Sequence, residues 1–286
     1  MERPTARLLP NDRLHLQHGP IDLIISAEGD RKSAFAAATE RFQTVLDELV
    51  AELPRLRRPL DGSPFTGPVA QRMAQAASAH KGSFVTPMAA VAGSVADEIL
   101  EAMIGAADLS KAAVNNGGDI ALHLTADEHF ELAMSSVAGH DLGRITITSD
   151  QRIKGIATSG RHGRSLSLGI ADSVTVLAAT AAEADVAATL IANAVDLPDH
   201  PAVRRVPARS IDPDSDLGDR LVTTGLGALT RDEVEVALRS GVESAQSMLS
   251  AGHIAGAALY LEDQFEVLGD TVAALRPTAN RSGAHT

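Results

Sequence analysis

The chain has 286 residues, a formal net charge of −12 and 44% apolar residues, with no cysteine or tryptophan and only 2% aromatic residues. This composition excludes disulfides, thiolate nucleophiles and cysteine-type zinc sites, and the negative charge with few stacking side chains disfavours a nucleic-acid partner. No apolar run approaches the roughly 18–20 residues that span a bilayer, and residues 1–10 lack the apolar core of a signal peptide. We therefore predict a soluble, cytoplasmic protein that binds neither nucleic acid nor a membrane.

The first hundred residues combine a short hairpin with three helices. Gly19-Pro20 separates two partly alternating segments, which predicts a turn between strands. A stripe of apolar residues at helical spacing predicts an amphipathic helix that ends at Pro54. Pro68 and Pro87 suit the first turns of two further helices. The predicted elements are strands 12–18 and 21–27 and helices 30–53, 68–80 and 87–104.

The middle of the chain changes to short β-branched or alternating segments separated by Gly, Asn, Asp and Ser, which is typical of a sheet. Thr180 with Glu183, and Thr230 with Glu233, fit the capping box that starts a helix. The segment 196–219 is rich in Pro, Gly, Asp and Arg and is predicted to be a long surface loop. The predicted elements are strands 111–115, 119–124, 130–135, 144–148 and 173–178, helices 180–196 and 230–250, and a closing hairpin of 254–261 with 264–268.

Strands at both ends and in the middle, with helices in blocks, predict an α+β fold rather than a doubly wound sheet. We expect one domain over residues 1–275, built as one unit or as two closely joined lobes. The polar composition of residues 276–286 predicts a disordered tail.

The first candidate site segment is Val114–Ile120, in which Asn115, Asn116, Gly117, Gly118 and Asp119 lie between two predicted strands. The two glycines allow positive φ and the close approach of a ligand to the main chain. The alternative is a plain hairpin turn, which Asn-Gly favours strongly.

The second candidate segment contains Thr158, Ser159 and Gly160, followed by Arg161, His162 and Arg164. Hydroxyl groups beside guanidinium groups could form an anion cradle, although a solvated basic loop has the same composition. A relay of Ser159, His162 and Asp172 is a further alternative; the segment lacks the G-x-S-x-G pattern of a nucleophile elbow.

The third candidate is Asp185 with Thr189, which lie at positions i and i+4 and so share one face of the predicted helix 180–196. Such a pair of hard oxygen donors suits Mg²⁺, which completes its octahedron with water and substrate phosphate. The alternative is structural: a first-turn acid interacts favourably with the helix dipole, and Thr bonds to the preceding turn.

Five segments follow one another in an order that resembles a known family. In the ApbE superfamily, the FAD:protein FMN transferases, an AKG helix ending in Asp, an N-x-G-G-D turn, an A-T-S-G segment, an S-V-T-V strand and an A-D-A-L-A-T helix occur in that order. The resemblance covers roughly residues 83–195, and TPMAAVAGSVADEI and GRSLSLGIADSVTV look closest to its uncharacterised branch, uncharacterised protein family 0280. The segments here are AGSVAD, VNNGGDI, IATSG, DSVTV and ADVAAT.

The resemblance implies an ApbE-like (T-fold-like) α+β fold with a mixed or antiparallel sheet packed with helices. It implies that Asp185 and Thr189 ligate Mg²⁺ together with a backbone carbonyl near the AKG segment, beside the FAD pyrophosphate. Residues 115–119 would border the flavin nucleotide, residues 158–160 match the A-T-S-G segment, and Gly93 and Asp97 match the Gly and Asp of the AKG helix.

Two departures change what the resemblance implies. Ala92 replaces the Lys of AKG, and GRHGRSLSLGIA stands where the family has H-I-I-D-P-x-T-G. Few aromatic side chains are present to contact an isoalloxazine ring. Metal and diphosphate binding therefore carry over better than flavin specificity.

Three hypotheses follow. The first is Mg²⁺-dependent binding, with cleavage or transfer, of FAD, FMN or a related phosphorylated ligand, in which Asp185 acts with the metal, His162 moves a proton, and Arg161 and Arg164 neutralise phosphate. The second is a non-catalytic protein that delivers a flavin or small molecule to a partner enzyme. The third is an enzyme for a non-nucleotide substrate built around Ser159, His162 and Arg164. Expected partners are a small-molecule nucleotide, a flavoprotein target and further copies of the chain.

Overall fold

The computed structural model describes residues 3–80, 82–135 and 141–272. The helices are α1 (Arg31–Leu56), α2 (Pro68–Ser78), α3 (Val91–Ala106), α4 (Ala181–Ala194) and α5 (Arg231–Ser250). The strands are β1 (Thr5–Leu9), β2 (Arg13–His18), β3 (Ile21–Gly29), β4 (Leu109–Asn116), β5 (Asp119–Leu124), β6 (His129–Ser135), β7 (Asp141–Thr148), β8 (Gly155–Ser159), β9 (Ser173–Ala178), β10 (Val203–Pro207), β11 (Leu221–Leu226), β12 (Gly256–Leu261) and β13 (Gln264–Leu268).

A nine-stranded sheet forms the centre of the described part of the chain, in the order β1-β2-β3-β4-β5-β8-β9-β12-β13. Every neighbouring pair in it is antiparallel. The hairpins β6-β7 and β10-β11 are separate two-stranded sheets. The predicted α+β class with helices packed on an antiparallel sheet is confirmed.

The two faces of the sheet are covered differently, because side chains alternate along each strand. Ala121, Ala157 and Val176 belong to the large core shared with α1, α3, α4 and α5. Their chain neighbours point to the opposite face, where they pack with the β6-β7 hairpin in a second cluster. These neighbours are Leu122, Ile156 and Leu177. The helical face therefore carries most of the buried apolar surface.

Glu98 on α3 is buried and pairs with side chains of the two preceding helices. Its two carboxylate oxygens accept from Nε of Arg41 on α1, at 2.8 Å, and from Nε of Arg72 on α2, at 3.0 Å. A carboxylate removed from water is tolerated only when it is paired in this way. Glu98 thus fixes α3 relative to the two preceding helices.

The prediction that the first long helix ends at Pro54 is wrong, since Pro54 lies inside the last turn of α1. The helix continues to Leu56, and the Arg57 N–H donates to the carbonyl of Leu53. A proline removes only one helix hydrogen bond there, and the fully buried Leu56 supplies packing that a sequence pattern cannot show.

Other predicted boundaries also change. Pro87 begins a short 3₁₀-helix, Pro87–Ala90, and α3 follows it. The predicted surface loop 196–219 contains β10, so it is not a loop throughout. Strands β1, β8 and β11 were not predicted. The proposed tail 276–286 lies outside the described residues. None of the helices that the structure describes is long and apolar enough to cross a bilayer.

Candidate functional site

A cleft of about 310 Å³ opens between α4, the segment that leads into α3, and two loops. The loops are 164–168 and 212–217. Five aspartates and two arginines line it, so its formal charge is strongly negative. They are Asp119, Asp185, Asp212, Asp214, Asp216, Arg57 and Arg164. Such a cleft favours a bound cation or a ligand that arrives with one.

Asp185 and Thr189 both line this cleft, as expected for two side chains on one face of α4. The Asp185 carboxylate accepts a hydrogen bond from the Gly93 N–H at 3.0 Å. Gly93 is required at this contact, because a Cβ on it would lie 2.2 Å from the carbonyl oxygen of Ala181. The close approach of α3 to α4 therefore places Asp185 against the backbone of α3.

Asp97 on α3 also stabilises the contact between α3 and the first turn of α4. Its two oxygens accept from the backbone N–H groups of Ala181, at 3.0 Å, and Ala182, at 2.9 Å. These are first-turn N–H groups of α4 that have no partner within the helix. Burial raises the pKa of Asp97 to about 6, although these two hydrogen bonds act in the opposite direction. Asp97 thus positions the helix that carries the candidate ligands.

Asp119, at the start of β5, brings a second carboxylate into the cleft. Burial raises its pKa to about 7, against the lowering effects of a hydrogen bond from the Thr158 backbone and of the Arg164 charge. Burial also raises the pKa of Asp185 well above its ordinary value, and the negative charge of Asp119 raises it further. Two carboxylates in one cleft need a proton or a cation between them.

Gly117 and Gly118 form the turn of the β4-β5 hairpin, in which Asn116 pairs with Asp119, as the plain structural alternative predicted. The Gly118 N–H donates to Oδ1 of Asn115 at 2.9 Å, and Gly117 and Gly118 have φ of +67° and +117°. The turn also borders the site: a Cβ on Gly117 would lie 2.2 Å from Nη2 of Arg164. Gly117 therefore leaves room for the guanidinium that lines the cleft.

Asn116 is buried and acts on the backbone. Its Nδ2 donates to the carbonyl oxygen of Ala92 at 3.0 Å, and Ala92 lines the cleft. The resemblance predicted that Asn116 borders a nucleotide. The structure shows that its amide orients the residue that replaces the family lysine.

The second predicted segment does not form one cradle. Thr158 Oγ1 lies 2.8 Å from Thr175 Oγ1 across β8 and β9. Ser159 makes no hydrogen bond to His162 in the residues that the structure describes, so the predicted relay is not assembled. Gly160, with φ of +155°, packs on the carbonyl of Asp172. Residues 158–162 do not line the cleft, whereas Arg164 does.

Buried Asp172 holds Arg161 and His162 away from the cleft. Its Oδ1 is 2.8 Å from Nε and 2.6 Å from Nη2 of Arg161, and 3.1 Å from Nε2 of His162. Its Oδ2 accepts from the Glu262 N–H at 2.6 Å. These contacts anchor the base of the loop that carries Arg164.

Sequence reasoning missed one wall of the cleft. Thr86 donates to Asp216 at 2.5 Å, and the guanidinium of Arg220 lies 3.1 Å from the ring centre of Phe84. Arg57, at the end of α1, is 4.0 Å from Asp214. The acidic composition of 212–216 was visible in the sequence, but nothing in it indicated that this loop faces α4.

The donor chemistry of the site fits a magnesium ion. No group of three or more His, Asp or Glu side chains that could hold a metal occurs in the described ranges, so an all-carboxylate cage is not available there. Asp185 and Thr189 line one cleft with Ala92, and a carboxylate and a hydroxyl are hard oxygen donors. Mg²⁺ commonly takes one or two carboxylates and keeps water or phosphate oxygen for the rest.

The antiparallel sheet, the close contact of α3 with α4 and the acidic cleft beside that contact define an α+β protein with a polar cleft near the N-terminal ends of two helices. The chain belongs to the family described as AbpE bacteria, whose family model matches residues 6–267. This confirms the resemblance read from the sequence, including its closeness to uncharacterised protein family 0280.

Relatives from archaea support the same family. A UPF0280 protein of Methanothrix thermoacetophila is 34% identical over 189 residues, covering 62% of this chain and 75% of that protein. A UPF0280 protein of Methanoregula boonei is 35% identical over 138 residues, covering 48% and 57%. Among solved structures, the flavin transferase ApbE from Vibrio cholerae aligns at 14% identity with a TM-score of 0.46, covering 93% of this chain and 98% of that one.

Proposed function

We propose that this chain binds a phosphorylated ligand together with Mg²⁺ in the cleft, and that it cleaves or transfers a phosphoryl-linked part of that ligand. The observation that carries the proposal is the placement of Asp185 and Thr189 on one face of α4, opening on the same cleft as Asp119 and Arg164. A flavin nucleotide, FAD or FMN, is the ligand that the order of the sequence motifs favours.

Each residue would have a distinct part. Asp185 would hold the ion with the Thr189 hydroxyl, while the backbone N–H groups of Ala92 and Gly93 donate to its carboxylate. The bound ion would neutralise the diphosphate and stabilise the charge that develops on the leaving phosphate. Arg164 would donate to a phosphate oxygen from the opposite wall.

The charge balance of the cleft supports metal dependence. Two arginines face five aspartates, so a diphosphate entering without a cation would be repelled. Arg161 cannot correct this balance, because Asp172 already pairs with it. In the proposal, Arg161 and His162 therefore anchor the loop of Arg164 and do not bind phosphate or move a proton.

The proposed ligand class is phosphorylated ligands in general and is not limited to flavins. Phe84 is the aromatic side chain in the cleft lining, and the guanidinium of Arg220 covers its ring. A flavin ring would find little surface on which to stack. Phosphate recognition is thus better supported than recognition of isoalloxazine.

Metal binding is tested with the variant Asp185→Asn. Saturating pyrophosphate or FAD with Mg²⁺ should raise the melting temperature of the unmodified protein by about 5 °C, and this shift should vanish in the variant. Differential scanning fluorimetry with and without Mg²⁺ measures it. Glu183→Gln removes a charge from the same helix outside the cleft lining and should keep the full shift. An equal shift in Asp185→Asn would contradict the metal assignment.

Turnover is tested by incubating the full chain with FAD and Mg²⁺. Cleavage of the pyrophosphate breaks one P–O bond and releases AMP, with the FMN part passing to water or to a protein acceptor. The amount of AMP, measured by mass spectrometry, should increase in proportion to the incubation time. Stoichiometric retention of intact FAD would instead indicate a carrier that delivers the flavin to a partner enzyme.

A further inference from the structure

A second cavity, of about 460 Å³, adjoins the acidic cleft. It lies between α1, the β2-β3 turn and the segment that leads into α3. Three residues line both spaces, so the two meet at a common boundary. The shared residues are Arg57, Met88 and Val91.

The lining of this cavity is almost entirely aliphatic. Four leucines of α1 contribute to it, together with Val50, Pro20 and Ile21. Within the described part of the chain, His18 and Arg57 are its titratable side chains. The leucines are Leu46, Leu49, Leu53 and Leu56. The space is an apolar concavity that opens to solvent, with the partly exposed Val50 on its border. Large apolar concavities typically receive ligands.

We propose that this cavity holds the aliphatic part of the ligand whose phosphate lies in the acidic cleft. The substrate class is then a phosphate or diphosphate ester of an aliphatic alcohol, with Arg57 at the junction of its polar and apolar parts. This inference rests on the proposed function for the phosphate end. It adds the chemical class of the organic group that is attached to the phosphate.

An isoalloxazine ring fits the cavity less well than an alkyl chain. The pyrimidine edge of a flavin carries several hydrogen-bonding groups, and burying them without partners is costly. Among the described residues, no Phe, Tyr or Trp side chain lines the cavity for stacking. An alkyl chain needs neither, because apolar contact with Leu, Val and Met side chains is sufficient.

The test measures binding of inorganic pyrophosphate and of methyl, butyl and octyl diphosphate to the full chain, by calorimetry with Mg²⁺. Each methylene that enters the cavity should tighten binding about fourfold, which gives about 200-fold between butyl and octyl. An affinity that does not change with chain length would overturn the inference.

The variant Leu53→Trp tests whether the alkyl chain lies in this cavity. The larger ring should fill part of the cavity and remove most of the gain from butyl to octyl, while pyrophosphate binding reports whether the cleft is intact. Val236→Trp places the same ring at a half-exposed site on α5, outside the cavity lining, and should keep the gain. An undiminished gain in Leu53→Trp would place the chain elsewhere and overturn the inference. The chain-length series in the unmodified protein does not depend on either variant.

The two proposals fail in different ways. Mg²⁺-dependent pyrophosphate binding without a chain-length effect overturns the aliphatic site and supports the phosphate site. A chain-length effect that needs neither Mg²⁺ nor Asp185 supports the apolar cavity and overturns the proposed function. Tighter binding of FMN than of octyl diphosphate, retained in Leu53→Trp, overturns the aliphatic assignment in favour of a flavin held outside this cavity.

Discussion

At the scale of single residues, Gly93 determines whether the site can form. Its missing side chain lets α3 approach the first turn of α4, and its N–H holds Asp185. We expect Gly93→Ala to lower the free energy of unfolding by about 1–3 kcal/mol, because the new methyl group would overlap backbone atoms of Ala181. Urea titration followed by circular dichroism measures this change. The variant should also lose Mg²⁺-dependent stabilisation by pyrophosphate.

Gly105 provides the matched control on the same helix. It is exposed near the end of α3, and an added Cβ meets nothing within 4 Å. Gly105→Ala should therefore stabilise the protein by about 0.5–1 kcal/mol, since Ala loses less backbone entropy than Gly in a helix. Equal effects of the two substitutions would show that the α3-α4 contact is not a close one.

At the scale of elements, Arg161 and Arg164 show how tertiary structure separates neighbours in the sequence. Both were predicted to neutralise phosphate, but Arg161 pairs with Asp172 and, at 3.9 Å, with Glu262 at the start of the β12-β13 turn. Arg164, three positions later, extends over Gly117 to the cleft. No local pattern shows which of two arginines a distant carboxylate will bind.

The difference between local sequence signals and tertiary contacts also explains which elements could be predicted. Period-two alternation indicated β2 and β3, and capping boxes placed the starts of α4 and α5, because these signals are local. The first three residues of β8, 155–157, are all buried, so this strand shows no polar-apolar alternation. The exposed β1 forms an edge strand that depends on pairing with β2. Asp185 and Thr189 could be paired from helical spacing, whereas the wall formed by 212–217 required the fold.

At the scale of the whole molecule, a contact between two histidines links the end of α2 to the turn after α5. The ring centres of His80 and His253 are 5.4 Å apart. Burial lowers the pKa of His80, and the neighbouring His253 lowers it further. The folded state therefore binds a proton at His80 less readily than the unfolded state does.

This difference predicts the direction of an acid effect on stability. The contribution of His80 is fully present above its ordinary pKa of 6.5, and it is lost as the pH falls through 6.5 to the lowered pKa of the folded state. His80→Gln cannot take up this proton, so its melting temperature should fall less than that of the unmodified protein between pH 8 and pH 5. His129→Gln, which replaces an exposed histidine on β6, should follow the unmodified protein. If His80→Gln loses as much stability in acid as the unmodified chain, the contact between the two rings does not control this transition.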